Sequence, residues 1–162
     1  MKVSAAAVFA LLLLNLLSAY QLNKTRDQLL SSYYSDVDSK IPNGLRALVG
    51  DEKINVNIGG RTIGIETRSG RLYSFEYAPL KNPGIVITVS DEAADRIGRK
   101  EMGVMAAIDS RLITIRTTNF FSMLKVEALK RVYVASGMDK KLMEYDDGNY
   151  NAVYVQKLKV GG

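Results

Sequence analysis

Histidine and cysteine are both absent from the 162 residues of this chain, which bounds its chemistry before any motif is read. Without thiols there is no disulfide, no thiolate nucleophile and no cysteine-held zinc or iron. Without imidazole the commonest general base and the commonest transition-metal ligand are missing. What remains is generic combinations of serine, lysine and carboxylate, in which no nucleophile with an attendant base stands out. The sequence therefore reads as a non-enzyme with no cofactor and no metal. Three constellations need an account of their own. Gly59-Gly60-Arg61-Thr62-Ile63-Gly64 is glycine-rich, but a phosphate-cradling loop opens a helix, and these residues join two alternating apolar runs as a hairpin turn does. Asp91, Glu92 and Asp95 follow Ser90, where a helix start calls for a hydroxyl cap and negative charge at the positive end of the dipole. Asp146-Asp147-Gly148-Asn149 lacks the alternating carboxylates and distal glutamate of a calcium loop and reads as a turn.

The stronger signals are apolar. Phe120 to about Ala135 has helical spacing, with Thr118 or Asn119 as its cap and Gly137 after its end. On a wheel of about 100° per residue, Phe120, Leu124, Ala128, Phe121 and Val132 form one face, and Leu129, Tyr133 and Val126 form a second beside it. Met123 and Val134 lie beyond. A surface helix needs one such face, so the excess must cover a ligand, a partner or a membrane. Lys125, Lys130 and Arg131, with Lys140 and Lys141 beyond, could meet anionic headgroups at about 1 kcal/mol per residue. They equally suit a solvated face near a helix C-terminus. The whole chain carries 22 basic and 17 acidic residues, a net charge of +5, which fits an anionic membrane surface or an acidic partner. Nucleic acid calls for a dense basic stripe, and here the charges are scattered, so none is expected.

The elements that must position these residues follow a second apolar feature, Val3 to Tyr20, which carries no charge. Its length suits a membrane span at the short end of the workable range, about 17 to 25 residues. It also suits a cleaved signal peptide, because Lys2 precedes it and Ser18-Ala19 ends it. The anchor reading is preferred, with the globular part outside the cytoplasm, or secreted if the segment is removed. Residues 21–50 form an amphipathic helix and a connector broken at Ile41-Pro42-Asn43-Gly44, with a short helical turn from Leu45 to Val49. Period-two runs then give strands at Ile54 to Ile58, Ile63 to Ile65, and Arg71 to Ala78, the last with Tyr73, Phe75 and Tyr77 on one face. Ile85 to Val89 is a fourth strand. Short helices run from Ser90 to about Ile97 and from Glu101 to Ile108, a fifth strand from Leu112 to Thr118, and a closing strand from Ala152 to Val160. The expected fold is α+β: a five- to six-stranded, mainly antiparallel sheet with helices on one face, and a transmembrane-type helix before it. Residues 1–20 are the anchor or signal segment, 51–138 the core, and 139–162 the final turn and strand.

The order GIVITVSDEAADRI, AAIDSRLITIRTT and NFFSMLKVEALKRV, preceded by INVNIGG and RTIGIETRSGRLYSFEY, resembles the sterol carrier protein 2-like family over roughly residues 27 to 135. The chain departs from that pattern in Arg116-Thr117-Thr118, where the family usually has glycine, and in its anchor. The resemblance implies an apolar tunnel for a lipid or other hydrophobic ligand. It places Tyr73, Phe75, Tyr77, Met102, Met105, Phe120, Phe121 and Leu124 at such a cavity. Plain core packing accounts for the same apolar residues. Two functions are expected: a membrane-tethered lipid-binding domain, or a single-pass accessory subunit that binds a larger membrane protein without a ligand.

Overall fold

The computed structural model describes Ser31, Asp38, residues 43–135, Gly137 and Lys140. Alternation in the sequence becomes strands β1 (Glu52–Ile58), β2 (Arg61–Arg68), β3 (Arg71–Glu76), β4 (Ile85–Val89) and β5 (Ile113–Thr117). The β1–β2 and β2–β3 turns take the left-handed backbone that tight hairpins require, at Gly59 and Gly60 and at Ser69 and Gly70. Helices α1 (Asn43–Val49), α2 (Asp91–Gly98), α3 (Val104–Asp109) and α4 (Phe120–Ala135) complete the described elements. Ser90 caps α2 as its sequence suggests, accepting a hydrogen bond from Ala93 N at 3.1 Å.

The strands form one sheet in the order β3-β2-β1-β4-β5. Neighbours are antiparallel, with the exception of β1 and β4, which run parallel. The sheet is therefore mixed, and the reason is topological: β3 already runs in the direction of β1, and the chain crosses back before β4 begins, so β4 repeats that direction.

Register aligns the apolar residues in rows across one face. Val56 lies opposite Ile63 on one side and Ile87 on the other, and Ile87 lies opposite Ile115. Helices cover this face through Ala93, Ala94 and Ile97 of α2, Val104 and Ala107 of α3, and Tyr133 of α4, all buried in the same core. The opposite face is polar. Across it Asn57 accepts from Thr62 at 2.8 Å, and the connection between β3 and β4 passes over Asn55 and Gly64, which lie opposite each other. The Asn55 side chain holds that connection at both ends of one peptide unit pair: it accepts from Leu80 N at 2.9 Å and donates to Leu80 O at 3.1 Å. Gly64 makes room for the crossing, since a Cβ there would lie 2.6 Å from Ala78 O and 2.7 Å from Leu80 Cγ.

One strand departs from its expected pattern. Ser74 lies opposite Glu66 but Leu72 opposite Thr67, so Tyr73 is the extra residue of a β-bulge. Leu72 and Phe75 both become buried, and Tyr73 is displaced from the face it was expected to share with Phe75 and Tyr77. Its ring is 53% exposed and stacks against the Arg68 guanidinium, 3.4 Å from the ring centroid. Among the described residues no helix is long and apolar enough to cross a membrane. Val3 to Tyr20, most of the amphipathic stretch Gln21 to Lys40, and the closing strand Ala152 to Val160 lie outside the described residues.

Gly64→Ala is expected to destabilise the domain by about 1–3 kcal/mol through overpacking. Asn55→Ala should cost a similar amount by orphaning the Leu80 peptide groups. Urea unfolding midpoints measure both, and unchanged midpoints would show that the crossing connection is not held at this point.

Candidate functional site

The turn into α4 is tied to the start of β4. Thr118 N donates to Gly84 O at 2.9 Å, and Thr118 Oγ1 donates to Pro83 O at 2.8 Å. Asn119 then caps the helix, its Oδ1 accepting from Ser122 N at 2.8 Å. The rotation of α4 about its axis is set by a polar contact one turn in. Ser122 Oγ donates to Glu52 Oε2 at 3.0 Å, and Lys125 Nζ donates to the same oxygen at 3.1 Å and to Asp51 O at 3.1 Å. The Glu52 side chain is only 8% exposed. Gly84 forms its floor: a Cβ there would lie 1.9 Å from Glu52 Oε1 and 2.7 Å from Ser122 Oγ. A carboxylate this buried is stable only with its ammonium and hydroxyl partners in place, so Ser122 and Lys125 must face the sheet.

The consequence is on the other side of the helix. Of the two apolar faces in the sequence, Tyr133, Val126 and Leu129 turn inward, and Phe120 and Leu124 turn out. Phe120 is 62% exposed, Phe121 75%, Leu124 47% and Met123 41%, and Val134 is exposed nearer the far end. The Phe120 and Phe121 rings meet edge-on with centroids 6.2 Å apart.

The eight residues expected at a ligand cavity thus fall into separate groups. Phe75 is buried in the core, and Met102 and Met105 pack half-buried against that core. Tyr77 sets its ring perpendicular to Phe75 at 5.3 Å, and desolvation raises its phenol above the usual range. Tyr73 stands on the bulge beside Arg68. Phe120, Phe121 and Leu124 form an outward patch on α4. The three expected membrane-facing cations divide as well: Lys125 is held by Glu52, Lys130 pairs with Glu127 at 3.0 Å, and Arg131 is exposed with no ion pair among the described residues. Among the described residues no group of three or more acidic side chains is placed to hold a metal ion. The acidic residues of α2 instead pair along their own helix, Glu92 with Arg96 at 3.1 Å and Asp95 with Arg99. Sequence reading passed over Glu52, Ser122 and Gly84. The available signal was Ser122 and Lys125 interrupting an apolar helix three residues apart.

The class these observations define is an α+β domain with a five-stranded mixed sheet, helices over its apolar face, and one helix carrying an exposed apolar turn. No family model and no curated protein matches the chain. Among solved structures it is similar to a crystal structure of sterol carrier protein 2, at 9% identity and a TM-score of 0.47, over 72% of this chain and 95% of that one. It is similar to palmitated SCP2L2 from Aedes aegypti at 17% identity and a TM-score of 0.42, over 64% of this chain and 87% of that one. It also matches the inverting sec-alkylsulfatase Pisa1 from Pseudomonas sp., at 12% identity and a TM-score of 0.38, over 54% of this chain but 14% of that one. Several matched structures are thus sterol carrier protein domains, the family that the sequence resembles.

Lys125→Met leaves the Glu52 carboxylate without its ammonium and is expected to destabilise the fold by about 1–3 kcal/mol. Lys125→Arg should recover most of the loss. Equal unfolding midpoints for the methionine variant and the parent would show that the contact does not fix α4.

Proposed function

We propose that this protein binds a lipid or other hydrophobic ligand, on a domain that Val3 to Tyr20 holds at a membrane with the domain outside the cytoplasm. The observation that carries the reading is the exposed apolar turn Phe120, Phe121, Met123 and Leu124 on a helix whose rotation is pinned. Single exposed apolar side chains are ordinary, but four large ones within five residues make a patch of the kind that marks a contact site. The pin matters because turning the patch inward would pull Ser122 and Lys125 away from a buried carboxylate. The patch therefore gains by taking an apolar occupant rather than by repacking.

The residue types suit such an occupant. Two phenylalanine rings supply area at little entropic cost, and the flexible side chains of Met123 and Leu124 adapt to a chain of variable shape. Half-buried Met102 and Met105 add adaptable thioethers elsewhere along the core. The reading requires no catalysis, in keeping with a composition that lacks histidine and cysteine.

Full-length protein in mild detergent, treated with a photoactivatable fatty acid, should label saturably on the peptide that carries Phe120 to Leu124. Unlabelled fatty acid should compete. Phe121→Asp, at an exposed position that leaves the core intact, should weaken labelling about tenfold or more, the worth of burying one large side chain. Labelling that no competitor reduces, or that maps to Val3 to Tyr20 alone, would sink the reading. Co-purification of one stoichiometric membrane protein, with no competed labelling, would favour an accessory subunit instead.

A further inference from the structure

The outer face of α4 extends beyond its apolar turn. At about 100° per residue, Leu124, Glu127, Arg131 and Val134 all lie within about 40° of Phe120, so one stripe runs along about four turns of the helix. All five of these residues are exposed. The stripe is apolar at both ends, and its middle carries one carboxylate and one guanidinium a turn apart. Glu127 reaches sideways to Lys130 at 3.0 Å, and Arg131 has no ion pair among the described residues. Such a pattern is self-complementary. Turned about a two-fold axis near the middle of α4, a second copy runs antiparallel to the first and lays its Val134 beside Phe121 and Leu124. Arg131 of each copy then comes to Glu127 of the other, which keeps Lys130 on one side and gains a second cation on the other.

We propose that two copies of this chain pair through the outer face of α4, antiparallel, when no ligand covers the patch. Phe120 and Phe121, 62% and 75% exposed, leave roughly 250 Å² uncovered between them. With Met123, Leu124 and Val134 the face exposes roughly 500 Å² per copy, so a pair withdraws up to about 1,000 Å² from water. That area is the lower bound for a specific interface and fits a weak, reversible pair. The charges select the partner. An anionic bilayer would attract Arg131 but repel Glu127, whereas a second copy satisfies both. The inference rests on the reading of α4 as an apolar contact surface and adds what closes that surface in the absence of ligand, so that ligand and second copy exclude each other.

Sedimentation equilibrium of the full-length protein in density-matched detergent should show monomer and dimer in exchange, with the dimer growing as concentration rises. Glu127→Arg sets Arg131 of each copy against a cation, and Arg131→Glu sets carboxylate against carboxylate. Either variant alone should weaken the pair about 25-fold, roughly fivefold for each of its two contacts. Both positions are exposed, so unfolding midpoints should match the parent. Mixed in equal amounts, the two variants meet opposite charges at both contacts, and a pair with one copy of each should form at close to the parental strength. A parent that stays monomeric at every concentration, single variants that pair as the parent does, or a mixture without mixed pairs would overturn the proposal. These samples contain no fatty acid, so the result is read independently of competed photolabelling. Fatty acid that labels the patch should return the pair to monomer, and labelled protein that stays paired would overturn the proposal as well.

Discussion

A single buried carboxylate decides what this domain shows to its surroundings. Glu52 begins β1, the central strand of the sheet, and its side chain reaches the first turn of α4 some seventy residues later in the chain. Ser122 and Lys125 are the groups that satisfy it, and Gly84 is the residue small enough to let Glu52 and Ser122 meet. Neither of the two apolar faces of α4 has an intrinsic claim on the core. With Ser122 and Lys125 held on Glu52, the rings of Phe120 and Phe121 face solvent. The exposed patch is thus a product of polar satisfaction elsewhere.

The crossing from β3 to β4 imposes a second asymmetry. Asn55 and Gly64 give the polar face of the sheet a fixed band of backbone, and that band ends in the segment that carries Lys81 and leads to Gly84. The same connection that makes β4 parallel to β1 also brings a cation to the end of the sheet where α4 begins. Topology and charge placement are linked here through one short segment.

Much of this was readable from local pattern. The alternating apolar residues of β1 and β2, the apolar run that forms β4, the Gly59-Gly60 turn and the Ser90 cap each depend on neighbours in sequence, and each lies where that local pattern put it, although β4 leaves Thr88 exposed rather than burying both faces. The parallel pairing of β1 and β4 was not readable, because the length of a connection does not say which strand it will land beside. Tyr73, Phe75 and Tyr77 alternate like a regular strand, yet Leu72 also needs burial, and only a bulge accommodates both demands. The rotation of α4 was equally hidden. Its wheel offers two comparable faces, and the contact that chooses between them joins residues seventy positions apart.

The bulge at Tyr73 has a consequence for neighbours of the same kind. Among the described residues β3 is an outer strand of the sheet, with a rim of peptide groups that a strand from another molecule could extend. An extra residue in that strand breaks the regular spacing of donors and acceptors and twists the rim, and the stacked Arg68 and Tyr73 side chains stand beside it. A blunted rim keeps copies of the domain from adding to one another strand by strand.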